Sequence, residues 1–81
     1  MSDFEINGYF DMDVLDSARW LRGNNIDLDD REACRHAPGC DSDERFLDTV
    51  IAVARKIYIK KDPDGWTDCG IGKADLDELG F

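Results

Sequence analysis

The residues with the clearest capacity for chemistry are three cysteines and one histidine. Cys34, His36 and Cys40 lie close together in the chain, and Cys69 follows far downstream. Three thiolates and one imidazole are the ligand set of a closed structural zinc site. The spacing matches none of the usual zinc knuckles, so the alternative is a set of half-buried free thiols and a partly exposed histidine near a helix end. A closed site has no open coordination position, and zinc bound there would be structural rather than catalytic.

Catalytic arrangements are poorly represented in the sequence. His36 is the single histidine, so a nucleophilic Cys-His pair would have to use it together with one of the cysteines. Cys34 is two positions away, and residues at this spacing do not face each other on a helix. The glycines near residue 70 lack the third glycine and the Lys-Ser/Thr of a phosphate-binding loop. We therefore expect a protein that is not an enzyme and that carries no cofactor.

Acidity is the dominant chemical feature of the chain. Nineteen acidic residues oppose ten basic ones, which gives a net charge of −9. Such an excess disfavours direct binding to nucleic acid or to an anionic membrane. With 42% hydrophobic residues the chain is nevertheless apolar enough to fold. Its 81 residues are expected to form a single domain, residues 1–81, with one small core and no deep substrate cavity.

The acidic residues are unevenly distributed along the chain. Residues 1–34 hold nine acids and three bases, residues 35–61 hold four acids and six bases, and residues 62–81 hold six acids and one base. If the acidic flanks wrap one side of the slightly basic centre, their carboxylates form a continuous negative surface. The alternative is a solvated surface that only keeps a small protein soluble. The predicted partner-binding surface consists of Asp13, Asp16, Trp20, Asp27, Asp29 and Asp30.

The two tryptophans have different predicted environments. On a helical wheel Trp20 lies between Asp13 and Asp16, away from the apolar stripe of its helix. It is either covered by the N-terminal segment or an aromatic anchor within an acidic patch, a composition typical of interface hot spots. Trp66 follows a turn signal at residues 62–65 and is predicted to lie in the core.

These residues must be positioned by elements around the segment from Asp41 to Lys61. Its apolar residues recur with a helical period and occupy an arc roughly 160° wide. Asp41 is the predicted N-cap, with Glu44 in capping-box spacing. Pro63 should stop the helix by about Lys61. The predicted buried face consists of Phe46, Leu47, Val50, Ile51, Val53, Ala54, Ile57 and Tyr58.

Shorter elements flank this helix. Asn7-Gly8, between apolar residues, predicts a tight hairpin turn near the N-terminus. Three shorter helices are predicted, at about residues 11–22, between Asp27 or Asp29 and Ala37, and at residues 75–79. The predicted fold class is therefore all-α or mostly α, a small single domain of three or four helices packed on one long central helix, possibly with a short N-terminal β-hairpin.

The absence of a leader pattern and the acidic composition together lead to a functional hypothesis. The chain opens with acidic residues, without a signal peptide or a membrane-spanning stretch, so we expect a cytoplasmic protein with no membrane contact. Its small size and high Asp content resemble the profile of phage-encoded acidic inhibitors, including nucleic-acid mimics of the anti-restriction and anti-CRISPR type. That resemblance implies a non-catalytic protein-binding module, most simply an inhibitor that occupies the basic groove of a nucleic-acid-handling protein. The alternative is a zinc-stabilised structural or adaptor domain.

Overall fold

Four short helices and two antiparallel hairpins make up the described part of the chain. The computed structural model describes residues 5–65 and 67–80. Trp66, which was predicted to lie in the core, is outside the described residues. In chain order the elements are β1 (Glu5–Ile6), β2 (Tyr9–Phe10), α1 (Asp11–Gly23), α2 (Arg31–Cys34), α3 (Glu44–Lys56), β3 (Tyr58–Lys61), β4 (Thr67–Gly70) and α4 (Lys73–Leu79).

The predicted fold class, an all-α or mostly α domain built on one long central helix, is wrong. α3 has thirteen residues, the same length as α1. It ends at Lys56, and the segment predicted to be its last turn is strand β3, paired antiparallel with β4. Together with the N-terminal hairpin this makes a mixed fold of short helices and two small β-ribbons.

Two local features explain why the helix stops early. Ile57, Tyr58 and Ile59 are β-branched or aromatic residues, which fit an extended backbone better than a helix. Beyond them the chain turns back, with the N–H of Gly65 donating to the carbonyl of Asp62 at 2.9 Å. This turn brings β4 alongside β3, and the gain of cross-strand hydrogen bonds then favours the hairpin over one more helical turn.

The core lies between α1 and α3. Leu47, Val50, Val53 and Ala54 of α3 are fully buried, as the helical period predicted. The buried apolar residues of α1, which are Val14, Ala18 and Leu21, pack in the same cluster. Ile6 of β1 and Leu76 of α4 extend it. Tyr58 is an exception to the predicted buried face, because it is 55% exposed on β3.

The N-terminal hairpin has the turn that Asn7-Gly8 predicted. Asn7 and Gly8 have positive φ angles of 55° and 88°, as a two-residue hairpin loop of the primed type requires. Ile6 pairs with Tyr9 and is fully buried. The Nδ2 of Asn7 donates to Thr49 Oγ1 at 2.8 Å, so the hairpin covers Thr49, which is buried although it was not part of the predicted buried face.

The helix starts differ from the predicted ones by a few residues. The sequence offers Asp11 or Asp13 as the cap of α1, but the residue before this helix is Phe10, and both aspartates lie in its first turn. Asp43, rather than Asp41, caps α3 by accepting from the N–H of Phe46 at 3.1 Å. α2 is a single turn instead of two and begins after Asp30. Within residues 5–65 and 67–80 there is no helix of the length and hydrophobicity needed to cross a membrane.

Candidate functional site

An open cleft lies between the first half of α1 and the loop that precedes α3. Its volume is about 430 Å³. Three of its lining residues are aspartates, two come from the 38–39 turn, and one is aromatic. The lining residues are Asp13, Asp16, Ser17, Pro38, Gly39, Ser42, Asp43 and Phe46. The cleft therefore combines an acidic character with a small apolar surface.

Two contacts between distant parts of the chain build this cleft. Ser17 is 1% exposed, and its hydroxyl donates to the carbonyl of Pro38 at 2.5 Å, which holds the loop against α1. Gly39 has a φ of 78°, and a Cβ at this position would stand 3.1 Å from the Phe46 ring. Glycine is needed here both for the left-handed backbone and for the close approach of the ring.

Asp43 is held in its ionised form by the groups around it. The N–H of Phe46 donates to Oδ1, and the Tyr9 hydroxyl donates to Oδ2 at 2.9 Å. These hydrogen bonds, that of Phe46 most strongly, hold the pKa of Asp43 below its usual value. Both carboxylate oxygens therefore have partners, and Asp43 contributes a fixed negative charge to the cleft.

The predicted α1 residues divide between the cleft and the core. Asp13 and Asp16, which share a face of α1, both line the cleft. Asp16 also forms an exposed ion pair with Arg19 at 3.1 Å. Trp20 does not line the cleft, because its side chain is partly buried and packs against the hydrophobic core. The assignment of Trp20 to a partner-binding surface stays a prediction.

The other predicted acidic residues lie in the loop between α1 and α2, and each has a partner within the fold. Asp27 accepts from the N–H of Asp29 at 3.0 Å. Asp29 pairs with Arg55 at 2.6 Å. Asp30 caps α2 by accepting from the N–H of Ala33 at 3.2 Å. These three carboxylates are exposed, but their contacts give them roles in shaping the loop.

Arg31 and Arg35 form ion pairs away from the cleft, whereas Arg45 of α3 lies beside Asp43 and donates to the carbonyl of Asn7 at 3.0 Å. Arg31 contacts Glu44 at 2.7 Å and also Asp48, and Arg35 contacts Glu44 as well. Hydrogen bonds from Arg35 and then Arg31 hold the pKa of Glu44 below its usual value. Among the described residues the Asp16–Arg19 pair is the one ion pair that involves a cleft residue. Asp13 and Asp43 are therefore outside the ion pairs of the described residues, although the nearby charge of Arg45 helps to lower the pKa of Asp43.

The four residues of the predicted zinc site are not gathered at one place. Cys34 and Cys40 are fully buried, and burial raises the pKa of Cys40 to about 11. His36 is exposed, and Cys69 lies half-buried on β4. Within the part of the chain that the structure describes, no three His, Cys, Asp or Glu residues are grouped so as to hold a metal ion. This geometry does not favour the zinc-stabilised adaptor as a function.

Several residues of the site were missed at the level of sequence. Ser17 stands among apolar residues on the buried stripe of α1, and a polar residue there could have indicated a tertiary hydrogen bond. Ser42, Asp43 and the 38–39 turn carry no local signal that they meet α1, because the contact is set by the packing of the whole chain.

Comparisons of the chain with protein-family models, with curated proteins and with solved structures found no match.

Proposed function

We propose that the protein is a non-catalytic acidic binding module that inhibits a nucleic-acid-handling protein by occupying its basic groove. The observation that carries the proposal is the acidic lining of the cleft, where Asp13, Asp16 and Asp43 come together and, among the described residues, only Asp16 forms an ion pair. A groove built for phosphates presents lysine and arginine side chains to an anionic ligand. A surface of fixed carboxylates can take the place of that ligand and is guided to the groove by electrostatic attraction.

The groups that line the cleft support binding rather than catalysis. The Ser17 hydroxyl is buried and donates to a backbone carbonyl, so it is not positioned as a nucleophile. Both oxygens of Asp43 accept hydrogen bonds, and its lowered pKa makes it a poor proton donor at neutral pH. What these residues offer a ligand is a negative field beside a small aromatic surface.

The test uses the protein as immobilised bait, followed by kinetics with the captured partner. Binding should weaken steeply between ~0.05 and ~0.5 M salt, and duplex DNA or RNA should displace the partner. The Asp13→Asn/Asp16→Asn variant should slow association by ~5-fold, because charges of this kind act mainly on the encounter rate. The matched control is Asp64→Asn/Asp77→Asn, which removes the same charge at exposed positions outside the cleft. A partner indifferent to salt, to nucleic acid and to the Asp13/Asp16 substitutions would contradict the proposal.

A further inference from the structure

Two strongly exposed apolar side chains stand at the start of α1. Phe10 is 67% exposed and Met12 is 72% exposed. Single exposed apolar residues are common on protein surfaces, but two large ones within one turn of chain are less so. They alternate with Asp11 and Asp13 in the sequence. This segment therefore offers apolar and acidic side chains together.

The backbone explains why these side chains cannot join the core. In the N-terminal hairpin the Ile6–Tyr9 pair faces the core, so the neighbouring Glu5–Phe10 pair faces the opposite side. Met12 lies ~160° around the α1 axis from the fully buried Val14, at ~100° per residue. Both residues are thus directed outward by the elements that carry them.

We propose that Phe10 and Met12 are the apolar anchors of the binding surface, and that they enter an apolar pocket bordered by lysine or arginine on a partner protein. This inference rests on the proposed function and deepens it, because it assigns the association rate and the dissociation rate to different residues. The cleft carboxylates speed association, whereas buried apolar anchors slow dissociation. The side chains of Phe10 and Met12 are far more exposed than that of Trp20, which is partly buried and packs on the core.

The surrounding charge identifies the occupant. Glu5 lies directly opposite Phe10 on the same hairpin face, and Asp11 and Asp13 flank Met12. A second copy seated here across a two-fold axis would bring these carboxylates against their own equivalents, which is repulsive. An anionic membrane is repelled in the same way. An apolar pocket bordered by basic residues on a partner protein would attract these carboxylates and bury the apolar pair.

The other exposed apolar pair has a different environment. Tyr58 is 55% exposed and Ile59 is 39% exposed, and both precede Lys60 and Lys61 on β3. A Cβ added at Gly70 would come within 2.7 Å of the Tyr58 hydroxyl, so Tyr58 is already in close contact with the neighbouring strand. In the sequence this pair is followed by two lysines instead of alternating with aspartates, and it serves as the control.

The experiment uses two labelled lysine-rich peptides of equal length and charge, one with two leucines and the other with two serines in their place. The wild-type protein should bind the leucine peptide ~10-fold more tightly, by fluorescence anisotropy, if exposed apolar residues contribute as anchors. Phe10→Ser/Met12→Ser should abolish this preference and keep the salt-sensitive binding of the serine peptide. Tyr58→Ser/Ile59→Ser should retain the preference. In the wild-type protein, the ¹³C-methyl NMR signal of Met12 should shift when the leucine peptide is added and stay in place when the serine peptide is added.

The possible results separate this inference from the proposed function. A preference that survives Phe10→Ser/Met12→Ser, or a wild-type protein that binds both peptides equally, overturns the anchor assignment while the acidic module stands. Failure of both peptides to bind contradicts the acidic module, and the anchor assignment falls with it. If sedimentation shows that the wild-type protein is a dimer and that the Phe10→Ser/Met12→Ser variant is a monomer, the pair serves self-association. That result would also overturn the inference.

Discussion

Cys34 and Cys40 are fully buried in the core, whereas Cys69 is half-buried on β4. Burial raises the pKa of all three thiols, and for Cys40 the pKa reaches about 11. Because the thiolate is the reactive species and access is also required, buried neutral thiols react slowly. The cysteines therefore differ mainly in how far the fold must open before a reagent reaches them.

We predict that an aromatic disulfide reagent at pH 8 modifies Cys69 first, and Cys34 and Cys40 at least ~10-fold more slowly, at a rate set by opening of the core. Absorbance of the released thiolate measures both phases, and Cys69→Ser should remove the fast one. Adding a zinc chelator should leave the rates and the melting temperature unchanged. If all three thiols were protected from the reagent and a chelator removed that protection, the result would instead support the zinc site.

At the scale of elements, Ile57 joins α3 to β3 and is 4% exposed. Ile57→Ala should lower the free energy of unfolding by ~2 to 4 kcal/mol, through lost burial and a residual cavity. The matched control is Ile59→Ala, two residues later on β3, where the side chain is 39% exposed. This change should cost less than ~1 kcal/mol. Equal losses in urea denaturation would mean that the junction does not pack as described.

The turn that forms the cleft gives a second prediction at this scale. Gly39→Ala should destabilise the protein by ~1 to 3 kcal/mol, because alanine is strained at positive φ and its Cβ would crowd the Phe46 ring. Gly23→Ala is the control, since no atom lies within 4 Å of a Cβ there and its φ is not in the left-handed region. That variant should be neutral or ~0.5 kcal/mol more stable. Thermal melts of both variants measure the difference.

The elements also show how far the sequence alone could lead. The helical period correctly predicted the buried face of α3 as far as Ile57, and Asn7-Gly8 correctly predicted a tight turn. Residues 58–61 were misassigned although Tyr58 and Ile59 favour extended backbone and residues 62–65 signal a turn, because the helical period was extended through them and the partner strand at residues 67–70 has no strand pattern of its own. The shared helix face of Asp13 and Asp16 was predictable. Their meeting with Asp43 was not, because it depends on the tertiary contact between Ser17 and Pro38.

For the whole molecule, stability in acid should follow the carboxylates whose pKa is lowered by folding. Asp43 and Glu44 have pKa values below their unfolded ones, near 4. Their stabilisation is therefore complete above the unfolded pKa and is lost as the pH falls through the lower folded pKa. The melting temperature should fall between about pH 5 and pH 2. Asp43→Asn, which can still cap α3, should show a smaller fall. An identical pH profile for the variant would contradict this role of Asp43.

Salt should change stability and binding in opposite directions, because the net charge of −9 acts on both. The radius of gyration is 12.2 Å, close to the Debye length of ~10 Å at 0.1 M salt, so at low salt the carboxylates repel one another across the molecule. The ion pairs of α2 and α3 are mostly exposed and are screened by solvent, so each contributes little against this repulsion. Raising salt from ~0.02 to ~0.5 M should therefore increase the melting temperature by a few degrees, while it weakens binding to a basic partner.

Scanning calorimetry of the free protein measures how the melting temperature depends on salt, and partner titrations in the same buffers measure how the affinity does. A melting temperature that falls with salt would show that ion pairs outweigh repulsion, and binding that strengthens with salt would show that the acidic surface is not what the partner recognises.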